Sequence, residues 1–167
     1  FDRSARLFFA MCASAMGGFI GGFHWWVIAS SLALNIPFLV CALLVPATSL
    51  HFFLSYPRPL GPMERRPKPT IAVIYTIPAI AALVMSVLFT IAWWLTSAEM
   101  EPLTVNVVRG CLNFLRDSIY TYLVFAAACF LVMLAALGTE YWGNSTPVEQ
   151  SQIKWMFRAA VVSALPI

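Results

Sequence analysis

Charged side chains are scarce in this chain: Asp, Glu, Lys and Arg together make up 10% of the residues, whereas 61% are hydrophobic. Soluble domains carry about 25% charged residues, so this chain has too few of them to cover a surface that faces water. The shortage excludes an ordinary soluble domain and predicts a membrane protein with several spans. The net charge of +3 lies close to the predicted membrane surfaces, which indicates contact with the lipid bilayer rather than with nucleic acid.

Residues that carry chemistry are also few. The two histidines, His24 and His51, are predicted at opposite membrane faces, and the four cysteines show no CxxC or Cys/His spacing. Metal and redox sites need ligands at short, recognisable intervals, so we interpret the thiols as buried and inert. The sequence contains no phosphate-binding glycine loop and no nucleophile motif either. We therefore expect no catalytic residue, no metal site and no cofactor.

Long apolar runs are abundant, and each is close to the roughly 20 residues that cross a bilayer as a helix. They predict an all-α fold, a polytopic membrane helix bundle that forms one transmembrane domain with about five spans. Because the chain starts without Met and stops inside an apolar run, we expect it to be a piece of a longer chain. The predicted spans are residues 7–23, 31–56, 70–95, 118–137 and 153–167, the last continuing beyond Ile167.

Small residues recur every four positions in the first span. At this spacing two helix backbones approach closely, which is a main source of helix association in lipid. Two interpretations stay open: contact with a neighbouring helix of the same chain, or an interface between two copies in a homodimer. The residues predicted to pack in this way are Ser14, Gly17, Gly18, Gly21 and Gly22.

Positive charge marks one membrane face. Residues 57–69 combine five prolines with four cations and predict an irregular surface loop. Eight of the ten Lys and Arg residues fall on the same face, so the positive-inside rule predicts that residues 57–69 and 139–152 are cytoplasmic. The eight cations are Arg3, Arg6, Arg58, Arg65, Arg66, Lys68, Lys154 and Arg158. All of them except Arg3 and Arg6 are predicted to anchor this interface, together with Trp155.

The opposite face is predicted from aromatic residues. Trp25-Trp26 follows the first span and Trp93-Trp94 lies at the end of the third, and indole rings prefer the headgroup level. Residues 105–117 place apolar side chains at three- and four-residue intervals, which predicts a separate amphipathic helix at the interface. The fourth span then begins near residue 118, and Gly138 is predicted to end it.

Polar residues inside the predicted spans are the remaining candidates for a site. Asn35, His51 and Asp117 are costly to leave unpaired in hydrocarbon, and an imidazole can change charge near neutral pH. We interpret Asp117, beside Arg116, as an interfacial charge. Pro46 removes a backbone hydrogen bond from the second span, and Thr48 and Ser49 are placed to satisfy the freed carbonyl.

Three stretches resemble the N-terminal seven-helix membrane region of bacterial sensor histidine kinases: residues 2–9 (DRSARLFF), 51–59 (HFFLSYPRP) and 147–155 (PVEQSQIKW). The resemblance implies a membrane sensor or anchor in signal transduction, located in the bacterial inner membrane, whose parent chain carries a cytoplasmic kinase or phosphatase domain. These residues include neither the phosphoacceptor helix nor the ATP-binding domain of a kinase. The alternative is a non-catalytic accessory subunit of a larger respiratory or photosynthetic membrane complex.

Overall fold

The computed structural model describes residues 3–56, 59–97 and 102–142, together with 151, 153–155 and 158. Every regular element in these residues is a helix, and four helices are long and apolar enough to span a membrane, which confirms an all-α bundle. The fifth predicted span lies largely outside the described residues and stays a prediction. The helices are α1 (Arg3–Phe23), α2 (Trp25–Ala29), α3 (Leu32–Ser55), α4 (Pro62–Arg65), α5 (Pro67–Ser97) and α6 (Pro102–Trp142).

The central element is α3, which packs against α1 on one side and against α5 and α6 on the other. Helices α5 and α6 also pack against each other, so α3, α5 and α6 form a triangle. Among the described residues, α1 makes no comparable contact with α5 or α6. The first helix is therefore attached to the bundle through α3.

Two buried clusters fix the direction of the helices in the triangle. Near the middle of α3, Leu43 packs with Met85 of α5 and Tyr122 of α6. Nearer its C-terminal end, α3 contributes Leu54 to a cluster that includes Ile74 and Met133. Residue numbers thus fall along α5 and rise along α6 as α3 proceeds, so α3 is antiparallel to α5. The Trp25-Trp26 pair accordingly lies at the same end of the bundle as the C-terminus of α5.

The proline-rich segment contains more helix than its composition predicts. Residues 62–65 form α4, and α5 begins at Pro67 rather than at residue 70. The prediction of an irregular loop over residues 57–69 is wrong for this part, because proline is well tolerated in the first turn of a helix, where its missing N–H needs no partner. Gly61, at φ 46°, makes the turn that precedes α4.

The predicted boundary at residue 118 is absent. Helix α6 runs without a break through residues 105–117 and the fourth span, and Gly138 does not end it. A glycine that ends a helix usually has a positive φ, and among the described glycines only Gly61 does. With 41 residues, α6 is about 60 Å long, roughly twice the hydrocarbon core, so it extends well beyond the bilayer.

Candidate functional site

A polar pair joins α3 to α5 near the charged end of the bundle. His51 Nδ1 lies 3.2 Å from the Tyr75 hydroxyl oxygen, a hydrogen bond whose direction follows the imidazole tautomer. The two rings also meet edge to face at 5.7 Å. His51 is buried, and a buried polar side chain in a membrane is retained only when it is paired. Of the predicted polar candidates, His51 is the one that the structure places in a defined contact between two spans.

A second polar contact joins α3 to α6. The Tyr122 hydroxyl donates a hydrogen bond to the Leu43 carbonyl, and the Tyr122 side chain is buried. The accepting carbonyl lies three residues before Pro46, which stands inside α3 without ending it. Pro46 lacks the N–H that the Ala42 carbonyl would accept, so the Leu43 carbonyl that Tyr122 binds is the neighbour of the freed carbonyl.

Thr48 contributes to the same turn from within α3. Its hydroxyl lies 2.9 Å from the Leu44 carbonyl and 3.2 Å from the Val45 carbonyl. Thr48 and Ser49 are predicted to satisfy the carbonyl that Pro46 frees, which is that of Ala42; the Thr48 hydroxyl instead contacts the Leu44 and Val45 carbonyls. Three consecutive carbonyls before Pro46 thus lie beside hydroxyl groups, one of them from another helix.

The small residues of α1 face α3 of the same chain. A side chain added at Gly21 would lie 2.0 Å from a Phe38 ring carbon, and one at Gly17 would lie 2.7 Å from the Cys41 sulfur. A Cβ added at Gly18 would lie 3.3 Å from the Ala42 backbone, whereas one added at Gly22 would meet nothing within 4 Å. Ser14 is buried and donates to the Ala10 carbonyl of its own helix at 2.8 Å. This geometry gives Gly17, Gly18 and Gly21 a partner within the chain and leaves Gly22 without a packing role here.

The other polar residues predicted as candidates, Asn35 and Asp117, lie apart from the contact between His51 and Tyr75. Asn35 is buried near the start of α3, far along the chain from His51. Asp117 is 64% exposed and pairs with Arg116 at 3.1 Å. An exposed pair of adjacent residues is worth little energetically and brings no second span into contact. Within the described residues, no three His, Cys, Asp or Glu side chains come together as a metal site.

The predicted interfacial anchors are exposed wherever the structure describes them. Arg65 at the end of α4, Arg66 between α4 and α5, and Lys68 at the start of α5 are all exposed; Arg58 lies outside the described residues. Lys154 and Trp155 are exposed as well. The Arg158 guanidinium lies 5.6 Å from the centre of the Trp155 ring, close enough for a cation–π contact.

Sequence reasoning missed both tyrosines that bind α3. Tyr75 is 24 residues from His51, and Tyr122 is 79 residues from Leu43, so no local spacing connects either pair. The only signal available was that a polar aromatic residue in the middle of a span usually needs a hydrogen-bond partner.

Comparison with known proteins supplies no relative: no family model matches the chain, and neither a curated protein nor a solved structure matches it significantly. The function is therefore argued from the contacts above and from the resemblance carried by the three stretches.

Proposed function

We propose that this chain is the membrane sensor or anchor region of a bacterial signal-transduction protein of the histidine-kinase type, and that it is not catalytic itself. The observation that supports this proposal is the partly buried contact between His51 and Tyr75. His51 is the first residue of the stretch HFFLSYPRP, Tyr75 lies in α5, and their contact joins two spans at the charged end of the bundle. Ionisable residues in spans are expensive and commonly functional, and a contact at this end is suited to passing a change in helix packing to a cytoplasmic domain.

The test uses the complete polypeptide in proteoliposomes, with autophosphorylation as the readout. His51→Phe and Tyr75→Phe are expected to change the basal rate in the same direction, by 5-fold or more, the lower range of a coupling between two sites. The matched controls are His24→Phe and Tyr120→Phe, because both residues are exposed. A complete polypeptide without a cytoplasmic output domain would exclude the proposal, as would equal effects of the contact variants and the controls.

The proposal includes an orientation, with the end of the bundle at α4 in the cytoplasm of a bacterial cell. Moving a cation outward opposes the membrane potential by about 2.3 kcal/mol per charge per 100 mV, and Arg65, Arg66 and Lys68 cluster at this end. In a background without the four native cysteines, Glu64→Cys and Asn106→Cys are treated in intact cells with an impermeant thiol reagent. Both positions are exposed. Labelling at 106 and protection at 64 are expected, and the reverse pattern would overturn the orientation.

One structural feature favours the alternative of an accessory subunit or another assembly of membrane subunits. A lateral cavity of about 1040 Å³ opens between α1, α3 and α6, with Gly18, Phe38 and Leu123 in its wall. An apolar recess between spans is suited to a helix from another subunit. Stable co-migration with a cofactor-containing complex in mild detergent would support this alternative, whereas a self-contained homodimer would support the sensor.

A further inference from the structure

A cavity of about 660 Å³ combines positive charge and apolar surface at the charged end of the bundle. It lies between the end of α3, the short helix α4 and the first turns of α5. Arg65 and Arg66 line it, and among the described residues neither guanidinium is paired with a carboxylate. The other lining residues are Leu54, Pro62, Pro69, Thr70, Val73 and Ile74.

The charge around this cavity is positive. Arg65, Arg66 and Lys68 contribute three positive charges and Glu64 one negative charge, which leaves a net +2 over residues 64–68. Glu64 is exposed and does not line the cavity. The Thr70 hydroxyl is occupied by the Pro62 and Arg66 carbonyls, at 3.1 and 2.7 Å, and these bonds hold α4 against the start of α5. The two arginines are thus attached to a fixed turn of backbone.

An apolar path leads from this cavity into the membrane. Val73 lines the basic cavity, whereas Ile77, Ile80 and Val84 line a second cavity of about 480 Å³ between α5 and α6. The four residues are spaced by four, three and four positions, so they lie on one face of α5. Val73, Ile77 and Ile80 are 65%, 43% and 56% exposed, so neither α3 nor α6 covers this face.

The length of the apolar path matches the hydrocarbon thickness of one leaflet. From Val73 to Val84 the helix rises about 16 Å, and half of a typical hydrocarbon core is about 15 Å. Helix α6 lines the second cavity as well, with the rings of Phe114 and Phe125 and, beside them, the polar side chains of Asp117, Ser118 and Thr121. The far part of the path is therefore bounded by aromatic and polar side chains of the neighbouring helix. Two cations therefore lie at the opening of an apolar groove whose length along α5 is about that of one acyl chain in a single leaflet.

We infer that this surface is a binding site for one anionic phospholipid of the leaflet that faces α4. The phosphate contacts Arg65 and Arg66, since guanidinium groups bind phosphate through paired hydrogen bonds, and one acyl chain follows Val73, Ile77 and Ile80 toward the groove between α5 and α6. Basic pockets beside spans bind anionic headgroups in this way. The inference does not depend on a signalling role.

The test measures lipid bound to the complete polypeptide in mild detergent by native mass spectrometry, with phosphatidylglycerol and phosphatidylcholine offered in equal amounts. The unaltered chain is expected to retain one phosphatidylglycerol in preference to phosphatidylcholine. Arg65→Gln with Arg66→Gln is expected to weaken this binding about 30-fold, from the contribution of each cation near an anionic lipid. The control is Arg6→Gln with Arg109→Gln, which removes the same charge from exposed positions elsewhere.

A second pair of variants tests the acyl chain. Ile77→Trp with Ile80→Trp fills the groove and is expected to reduce phosphatidylglycerol binding, whereas Val87→Trp with Ile91→Trp, exposed on the same helix outside the groove, is expected to leave it unchanged. Circular dichroism establishes that each variant retains its helix content. Equal losses in the control variants would indicate annular lipid only and overturn the site. Displacement of the lipid by glycerol phosphate alone would indicate a site for a soluble anion and overturn it too.

Discussion

The interface between α1 and α3 and the interface among α3, α5 and α6 hold their helices together in opposite ways. At the first, Gly17, Gly18 and Gly21 remove side-chain volume so that the backbone of α1 approaches Phe38, Cys41 and Ala42 of α3. At the second, bulky side chains such as Met85 and Met133 fill the space between the helices. Two polar contacts then cross it, from Tyr75 to His51 and from Tyr122 to the Leu43 carbonyl.

The two interfaces can differ in this way because the solvent around spanning helices is lipid. Lipid tails are as apolar as leucine, so burying apolar surface does not distinguish a neighbouring helix from the bilayer, and only close packing or hydrogen bonds do. The α1–α3 interface relies on close packing and therefore has no room for added volume. The α3–α5–α6 interface has volume to spare, with open cavities at its edges, and is expected to be sensitive to the loss of polar atoms.

The largest effect is expected from added volume between α1 and α3. Gly21→Leu places atoms where the Phe38 ring lies, since even a Cβ there would be 2.0 Å from it, and overpacking of this kind costs about 3 kcal/mol. The free energy of unfolding in a denaturing detergent titration measures the loss. Gly22→Leu is the matched control, because nothing lies within 4 Å of that position. Equal losses for the two variants would contradict the packing described for α1.

An intermediate effect is expected from Tyr122→Phe, which removes only the hydroxyl that donates to the Leu43 carbonyl. Interhelical hydrogen bonds in membranes contribute up to about 1.7 kcal/mol, so a loss of about 1 kcal/mol is expected in the same titration. Tyr120→Phe, at a position 62% exposed, controls for the general effect of losing a phenol. A neutral Tyr122→Phe would show that the bulk of the ring, rather than its hydroxyl, holds α6 to α3.

The smallest effect is expected for the coupling between His51 and Tyr75. A double-mutant cycle with His51→Phe and Tyr75→Phe isolates their interaction from the cost of each single change. Polar pairs between spans average about 0.6 kcal/mol, and a coupling of this size and of stabilising sign is expected. A coupling indistinguishable from zero would mean that the contact, although close, does not help to hold α3 to α5.

Much of the fold was predictable because hydrophobic length is a local property. The second span, predicted over residues 31–56, matches α3 to within a residue at each end, and the first span ends at Phe23 as predicted. The predictions were wrong where one residue type occurs in two kinds of local structure. Proline in residues 57–69 was interpreted as a loop former but begins two helices, and Gly138 was interpreted as a helix end but stays helical.

Of the two residues in the candidate site, only His51 was predictable from the sequence. His51 was selected because an ionisable residue inside an apolar run has a high cost wherever the chain folds. Its partner Tyr75 lies in the next span, and the side of α5 that faces α3 is not encoded in any spacing between the two residues. The groove between α5 and α6 was not predicted at all, because a groove depends on which side chains two helices leave uncovered.

The sequence by itself determined the all-α class of this protein and the places of four helices long and apolar enough to span a membrane, because hydropathy acts residue by residue against the bilayer. It also marked the glycines of α1 as a surface for close approach. Only the tertiary structure decided that this surface faces α3 and that Tyr122 bonds the turn before Pro46. It alone placed Arg65 and Arg66 at the mouth of an apolar path. Each of these depends on the rotation and register of one helix against another, which many side chains set together and no single segment specifies.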